Sequence, residues 1–247
     1  MTTNHFFQII ADMKKFVFLF SITACAVIFL ASCTKKGADD EKSPYDEYAV
    51  DLGLSVKWAS VNVGATAEKD LGHYYGWGEV SDKADDVYYD WDSYEVFKGI
   101  GTDDASRDAA LSAIYDDKLI LKDKYDVAHV KWGGSWRMPT IEEFEELMEK
   151  CTWVMEPSDY DSWTAENPGG WRVTSKINGN SIFIPAAGQR TNMILDKDKG
   201  LQAYYWTANR DEDGDNFAIN LGRFKNVPSW SCQYVCMGCT VRPVCSK

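Results

Sequence analysis

Cysteines are the residues of this chain best suited to covalent or metal chemistry. The sequence holds seven, and Cys232, Cys236, Cys239 and Cys245 crowd its C-terminal end. Cys236-Met237-Gly238-Cys239 has the spacing of half a zinc knuckle or of a redox pair, because two intervening residues let both sulfurs converge on one point. Disulfide or structural roles, a metal site and redox catalysis are the readings open to this cluster. A second chemical feature is Asp211-Glu212-Asp213-Gly214-Asp215, whose alternate carboxylates suit a hard cation. An EF-hand loop needs Gly at its sixth position and Glu at its twelfth, and here those are Asn216 and Gly222. The expected structure is a solvated Asp-Gly turn between two strands.

No further catalytic signature is present in the sequence. His73 and His129 stand alone, and a lone histidine is more often a hydrogen-bonded structural residue than a base. There is no Gly-x-Ser-x-Gly elbow, phosphate loop or His-Glu-x-x-His helix, and no cofactor is expected. Carboxylates are too numerous to mark a glycosidase pair. Aromatic rings remain as a means of recognition. Trp91, Trp153, Trp163, Trp171, Tyr204, Tyr205 and Trp230 have the chemistry to stack on sugars or to anchor a protein partner. Trp163 lies in the polar stretch from Pro157 to Gly170 and Trp230 lies beside Pro228. These two are expected to be exposed and are the ligand-binding candidates.

What must position these residues occupies only part of the 247-residue chain. Met13-Lys14-Lys15, the apolar run Phe16 to Leu30 and the small residues Ala31-Ser32 form a secretory signal over residues 1–32. The run is short for spanning a bilayer. Met1 to Asp12 precedes a better start at Met13 and reads as a mis-called start. Leu30-Ala31-Ser32-Cys33 resembles the bacterial lipobox, in which the cysteine is acylated and becomes the new N-terminus. The partner implied is a lipid bilayer held through Cys33, with several acyl chains giving firm anchorage. Residues 33–47 are polar and lack apolar periodicity, as in a flexible tether. The acidic residues after Cys33 resemble surface-export signals, which implies an outer-membrane lipoprotein displayed at the cell surface. Export also favours disulfides among the cysteines. Beyond Cys25 and Cys33 an odd number remains, Cys151 included, so at least one thiol is free or paired between molecules.

Net charge is −12, without a Lys/Arg stripe, which excludes nucleic-acid binding. Strands are expected at Val50–Leu52, Val56–Val61, Trp171–Ile177, Ser181–Pro185, Ala203–Thr207, Asn216–Leu221 and Thr240–Val244. Asn178-Gly179 marks a hairpin turn. A weaker helical pattern runs through Thr102 to Lys118. One helix is sharply marked near 140–150: Thr140 and Glu143 form a capping box, and Ile141, Phe144, Leu147 and Met148 share a face. The fold class is α+β, without βαβ alternation.

Several motifs then fall in a recognisable order. Val50-Asp51-Leu52-Gly53-Leu54-Ser55-Val56-Lys57-Trp58-Ala59, Tyr75-Gly76-Trp77-Gly78-Glu79 and Trp132-Gly133-Gly134-Ser135-Trp136-Arg137-Met138-Pro139-Thr140 come first. Ile182-Phe183-Ile184-Pro185-Ala186-Ala187-Gly188, Tyr205-Trp206-Thr207 and Val241-Arg242-Pro243-Val244 follow. Together they resemble the Fibrobacter succinogenes major paralogous domain family, over residues 48–247. The resemblance implies a C-type-lectin-like fold, and it places Trp58, Trp77, Trp132, Trp136 and Trp206 in recurring motifs as core plugs. The Glu-Pro-Asn and Trp-Asn-Asp strings of calcium lectins are not matched, so a calcium-lectin site is not expected. The expected function is a non-catalytic binding or adhesion module for a glycan or protein ligand. The opposing reading is an enzyme of the formylglycine-generating type, a group that resembles the same fold, working through the C-terminal cysteines.

Overall fold

A computed structural model describes residues 42–164, 167–192, 194, 198–210, 216–222 and 229–247, with backbone alone at 160, 216–222 and 230–232. Among these residues the longer helices are α1 (Asp104–Ser112), α2 (Val127–Trp132) and α3 (Ile141–Lys150). The strands are β1 (Ala49–Val50), β2 (Lys57–Ala59), β3 (Cys151–Glu156), β4 (Gly170–Ser175), β5 (Ser181–Pro185), β6 (Gln202–Arg210), β7 (Asn216–Gly222), β8 (Ser229–Gln233) and β9 (Val244–Cys245). They form three antiparallel sheets in the orders β1-β2-β9, β3-β4-β5 and β6-β7-β8. The class is mixed α and β with antiparallel pairing, as expected.

The sharply marked helix forms as its local chemistry dictates. Thr140 Oγ1 accepts from Glu143 N, while Glu143 Oε2 accepts from Thr140 N at 2.9 Å, closing the capping box. Its apolar face delivers Phe144 and Leu147 to a core shared with Trp58, and the Trp58 and Phe144 ring centroids are 4.9 Å apart. The weak pattern after Thr102 contains α1, capped by Asp103, whose carboxylate accepts from Ser106 N. Helix α2 was not expected. Asp126 caps it, with Oδ1 accepting from His129 N and Oδ2 from Met138 N. Burial pushes the Asp126 carboxyl up to about 6, opposed by those backbone N–H groups.

The Asn178-Gly179 hairpin is present between β4 and β5, with Gly179 at φ 78°. The connection is longer than a two-residue turn. Ser175 Oγ accepts from Ile177 N and Asn178 N and donates to Leu52 O, so the hydroxyl satisfies the extra turn residues. Strands β3 and β8 were also not expected. Thr152-Trp153-Val154 follows α3 without a break, and its β-branched and aromatic residues suit the edge position beside β4.

One segment joins the separate sheets. Along Gly238–Cys245 the chain meets Arg190, Tyr75, Tyr205, Arg137 and Lys57 in turn through bridges and pairing. Val63 N and Ala59 N donate to Val241 O and Pro243 O. The buried tryptophans pack on both sides of this seam. Trp77, Trp132, Trp136 and Trp206 lie in one cluster and Trp58 and Trp171 in the other, so the five expected core plugs are all in the core. Trp77 and Trp206 each satisfy the indole N–H on a backbone carbonyl, those of Thr207 and Tyr75.

The folded part begins earlier than Tyr48. Ser43 Oγ donates to Trp132 O, and the Tyr45 ring stacks on Trp132 at 4.7 Å between centroids. Trp136 Nε1 donates to Asp46 Oδ1 at 3.0 Å. The stretch from Ser43 to Glu47 therefore docks on the domain and is no part of the tether, because its aromatic and hydroxyl groups find partners there.

Candidate functional site

The C-terminal cysteines are placed first by the seam. Cys151, Cys236, Cys239 and Cys245 are buried free thiols. None of these four is bonded to another, while of the expected cluster Cys232 lies outside the described side chains. Each fills the core as a small apolar group, Cys239 in the stretch that bridges Tyr75 and Cys245 opposite Lys57. Burial pushes the Cys236 thiol up to about 12 and those of Cys151 and Cys245 to about 11, with Cys239 raised further. Thiols so raised are protonated at neutral pH and are poor nucleophiles. No group of three or more His, Cys, Asp or Glu side chains converges as a metal site among the described residues. The Cys232 and Trp230 side chains, residues 211–215 and Cys33 lie outside the described atoms.

Trp163 is not exposed, contrary to expectation. Its side chain is 4 % accessible, its Nε1 donates to Pro157 O at 2.8 Å, and it meets Trp171 edge-on at 5.3 Å between centroids. The polar loop folds the Trp163 ring inward against Trp171. Trp171, Tyr204 and Tyr205 are buried as well. His73 Nδ1 lies 2.9 Å from Asp82 Oδ1, and His129 Nδ1 lies 3.2 Å from Trp136 O, so both histidines have structural partners.

The exposed aromatic surface is elsewhere. Trp91 is 39 % and Tyr234 66 % accessible, with ring centroids 5.8 Å apart. Phe97 lies behind Trp91, stacked at 5.7 Å. The Arg107 guanidinium sits 5.7 Å from the Trp91 centroid and 5.5 Å from that of Phe97. Phe97 and the cation hold the Trp91 ring, which stays partly open to solvent. Trp91 was among the aromatic candidates; Tyr234 and Arg107 were not, since only tertiary structure brings them to residue 91.

Two cavities flank the fold's irregular stretches. One, of about 400 Å³, is lined by His129, Trp136, Arg137 and the C-terminal Ser246 and Lys247 among others. Its guanidinium is already used, because Arg137 forks onto both oxygens of Glu143 at 2.8 and 2.5 Å. The other, of about 200 Å³, is lined by Gly72, His73, Tyr74, Lys83, Ala84, Asp85, Tyr89 and Arg190. Tyr89 Oη donates to Tyr74 O and Tyr74 Oη to Ala187 O, which makes its walls rigid. Lys83 Nζ forms a buried ion pair with Glu79 Oε2 at 2.8 Å. Burial raises the Glu79 carboxyl, against Lys83 and the N–H groups of Glu95 and Gly76.

No family model, curated protein or solved structure matches this chain.

Proposed function

We propose that this chain is a lipid-anchored, non-catalytic binding module of the bacterial cell envelope, displayed on the outer membrane and recognising a glycan. The single observation that carries the reading is the solvent-facing platform of Trp91 and Tyr234, backed by Phe97 and Arg107. The Trp91 ring, stacked on Phe97, matches the apolar face of a sugar ring, and the Tyr234 ring stands edge-on to it at 68°. Two such rings form a small patch, whereas a stable protein interface needs about 800 Å² from each partner. Protonated, buried thiols disfavour the opposing thiol-enzyme reading. The order of motifs from Val50 to Val244 supports a C-type-lectin-like domain of the Fibrobacter succinogenes major paralogous type.

A glycan array probed with the purified protein tests the binding. Trp91→Ala and Tyr234→Ala are each expected to weaken the signal about tenfold, equivalent to about 1.4 kcal/mol, and a chelator is expected to leave it unchanged. Unaltered binding in both variants overturns the platform. The anchor has its own test: Cys33→Ser is expected to move the protein from the membrane fraction to the soluble one. Continued retention in the membrane refutes acylation at that residue.

A further inference from the structure

The smaller cavity holds cationic groups that its own fold does not fully use. Arg190 has only 9 % of its side chain accessible and Lys83 only 8 %. Arg190 Nε has no hydrogen-bond partner, whereas Lys83 Nζ is paired with the Glu79 carboxylate at 2.8 Å. A buried charged donor left unmatched is costly, so a fold keeps Arg190 Nε only where something else meets it. Both cations also lie against rings, Arg190 at 4.7 Å from the Tyr74 centroid and Lys83 at 4.4 Å from that of Tyr89. The rings hold the cations in place without supplying an acceptor.

One carboxylate does reach this site, and it comes from outside. Asp85 is 99 % accessible at its side chain, yet its Oδ1 stands 3.0 Å from Arg190 Nη2. The other acids nearby are committed. Glu79 pairs with Lys83 and takes the N–H groups of Glu95 and Gly76, and Asp82 is shared among Tyr75, Lys131 and His73. Asp85 therefore shows where a carboxylate docks on Arg190, using one contact of a guanidinium built to give two. Asp85 reaches Arg190 from a fully exposed side chain through this one contact, so a better-placed carboxylate can take its position.

We propose that this cavity is a subsite for the carboxylate of an acidic sugar, which exchanges with Asp85 on Arg190 and faces Lys83. This rests on the glycan-binding reading and names the ligand class. The volume of about 200 Å³ is below that of a drug-sized pocket and suits one sugar unit or its charged end. Tyr89 lines this cavity and Trp91 follows two residues later in the chain, so one short segment serves both the charged subsite and the platform.

The test titrates the purified protein with glucuronate and galacturonate, with glucose and galactose, and with N-acetyl-glutamate amide. It follows the Arg190 Nε–H signal by nuclear magnetic resonance and affinity by calorimetry. The uronates are expected to shift that signal and to bind at least tenfold tighter than the neutral sugars. Arg190→Gln is expected to abolish the difference. Asp85→Asn, at a side chain that is 99 % accessible, is expected to keep the fold by circular dichroism and to tighten uronate binding severalfold, a gain that a merely structural Asp85 would not produce. Equal binding of neutral and acidic sugars that is lost in Trp91→Ala overturns the subsite and leaves the glycan reading standing. No shift at Arg190 with any uronate, or no gain in Asp85→Asn, also overturns the subsite. Preference for the glutamate derivative over both uronates overturns the sugar assignment and the glycan reading together.

Discussion

Arg242→Met is expected to remove about 5 kcal/mol or more of stability, enough to leave the protein largely unfolded, given that whole domains are stable by about 5–15 kcal/mol. Arg242 is fully buried in the seam. Its Nε donates to Asn62 Oδ1 at 2.8 Å, its Nη1 to Ala59 O at 3.0 Å and its Nη2 to Phe183 O at 2.9 Å. These acceptors belong to β2, to β5 and to the chain just after β2, so one guanidinium ties two sheets to the C-terminal segment. Burial lowers the pKa of this group, opposed by Tyr205 and more distantly by Glu68. Arginine nevertheless keeps its charge in proteins. Exchanging both members of a buried polar pair for apolar groups is often harmless, but here the backbone carbonyls cannot be exchanged. Methionine fills the volume and strands three acceptors, at about 1–3 kcal/mol each. Arg242→Lys also fails to reach all three, because an ammonium is a single point on a flexible stem. Urea unfolding followed by circular dichroism measures the loss. A midpoint unchanged in Arg242→Met overturns the role given to this residue.

The sequence exposes such a pin only partly, and the reason is distance along the chain. Features set by neighbouring residues were legible: the Thr140–Glu143 box, the β4–β5 hairpin, and the pairing of β6 with β7. The five motif tryptophans were legible as core through the recurring motifs of the resemblance. The glycines beside Trp77 mark close backbone packing, and at Gly76 an added Cβ would stand 2.6 Å from Glu79 Oε2. What could not be read depends on contacts across the chain. Asp85 and Arg190 are 105 residues apart, and Arg242 and Asn62 are 180 apart. No local pattern distinguishes Arg190 from an ordinary surface arginine until Tyr74 and Gly238 enclose it. The cysteines show the same limit. The spacing of Cys236 and Cys239 suits a paired site, but spacing does not disclose that both are buried as free thiols.

Trp163 gives the second large effect, and it follows from the misreading of its loop. Gly169→Ala is expected to destabilise the protein by about 3–5 kcal/mol, the range for losing a large buried ring. A Cβ on Gly169 would stand 1.8 Å from Trp163 Cδ2 and 2.0 Å from its Cε2. The ring has no room to yield, since Trp171 holds it edge-on and Pro157 O anchors its N–H. Alanine therefore drives the indole out and uncovers Trp171. Gly179→Ala is the matched control: an added Cβ there meets nothing within 4 Å, so the cost is only that of a left-handed backbone at φ +78°, about 1 kcal/mol. Urea unfolding should separate the two variants, and tryptophan fluorescence should shift to the red in Gly169→Ala alone. If both lose the same small amount and the spectra coincide, Trp163 does not cover Trp171 as described, and its place as an exposed ligand-binding ring reopens.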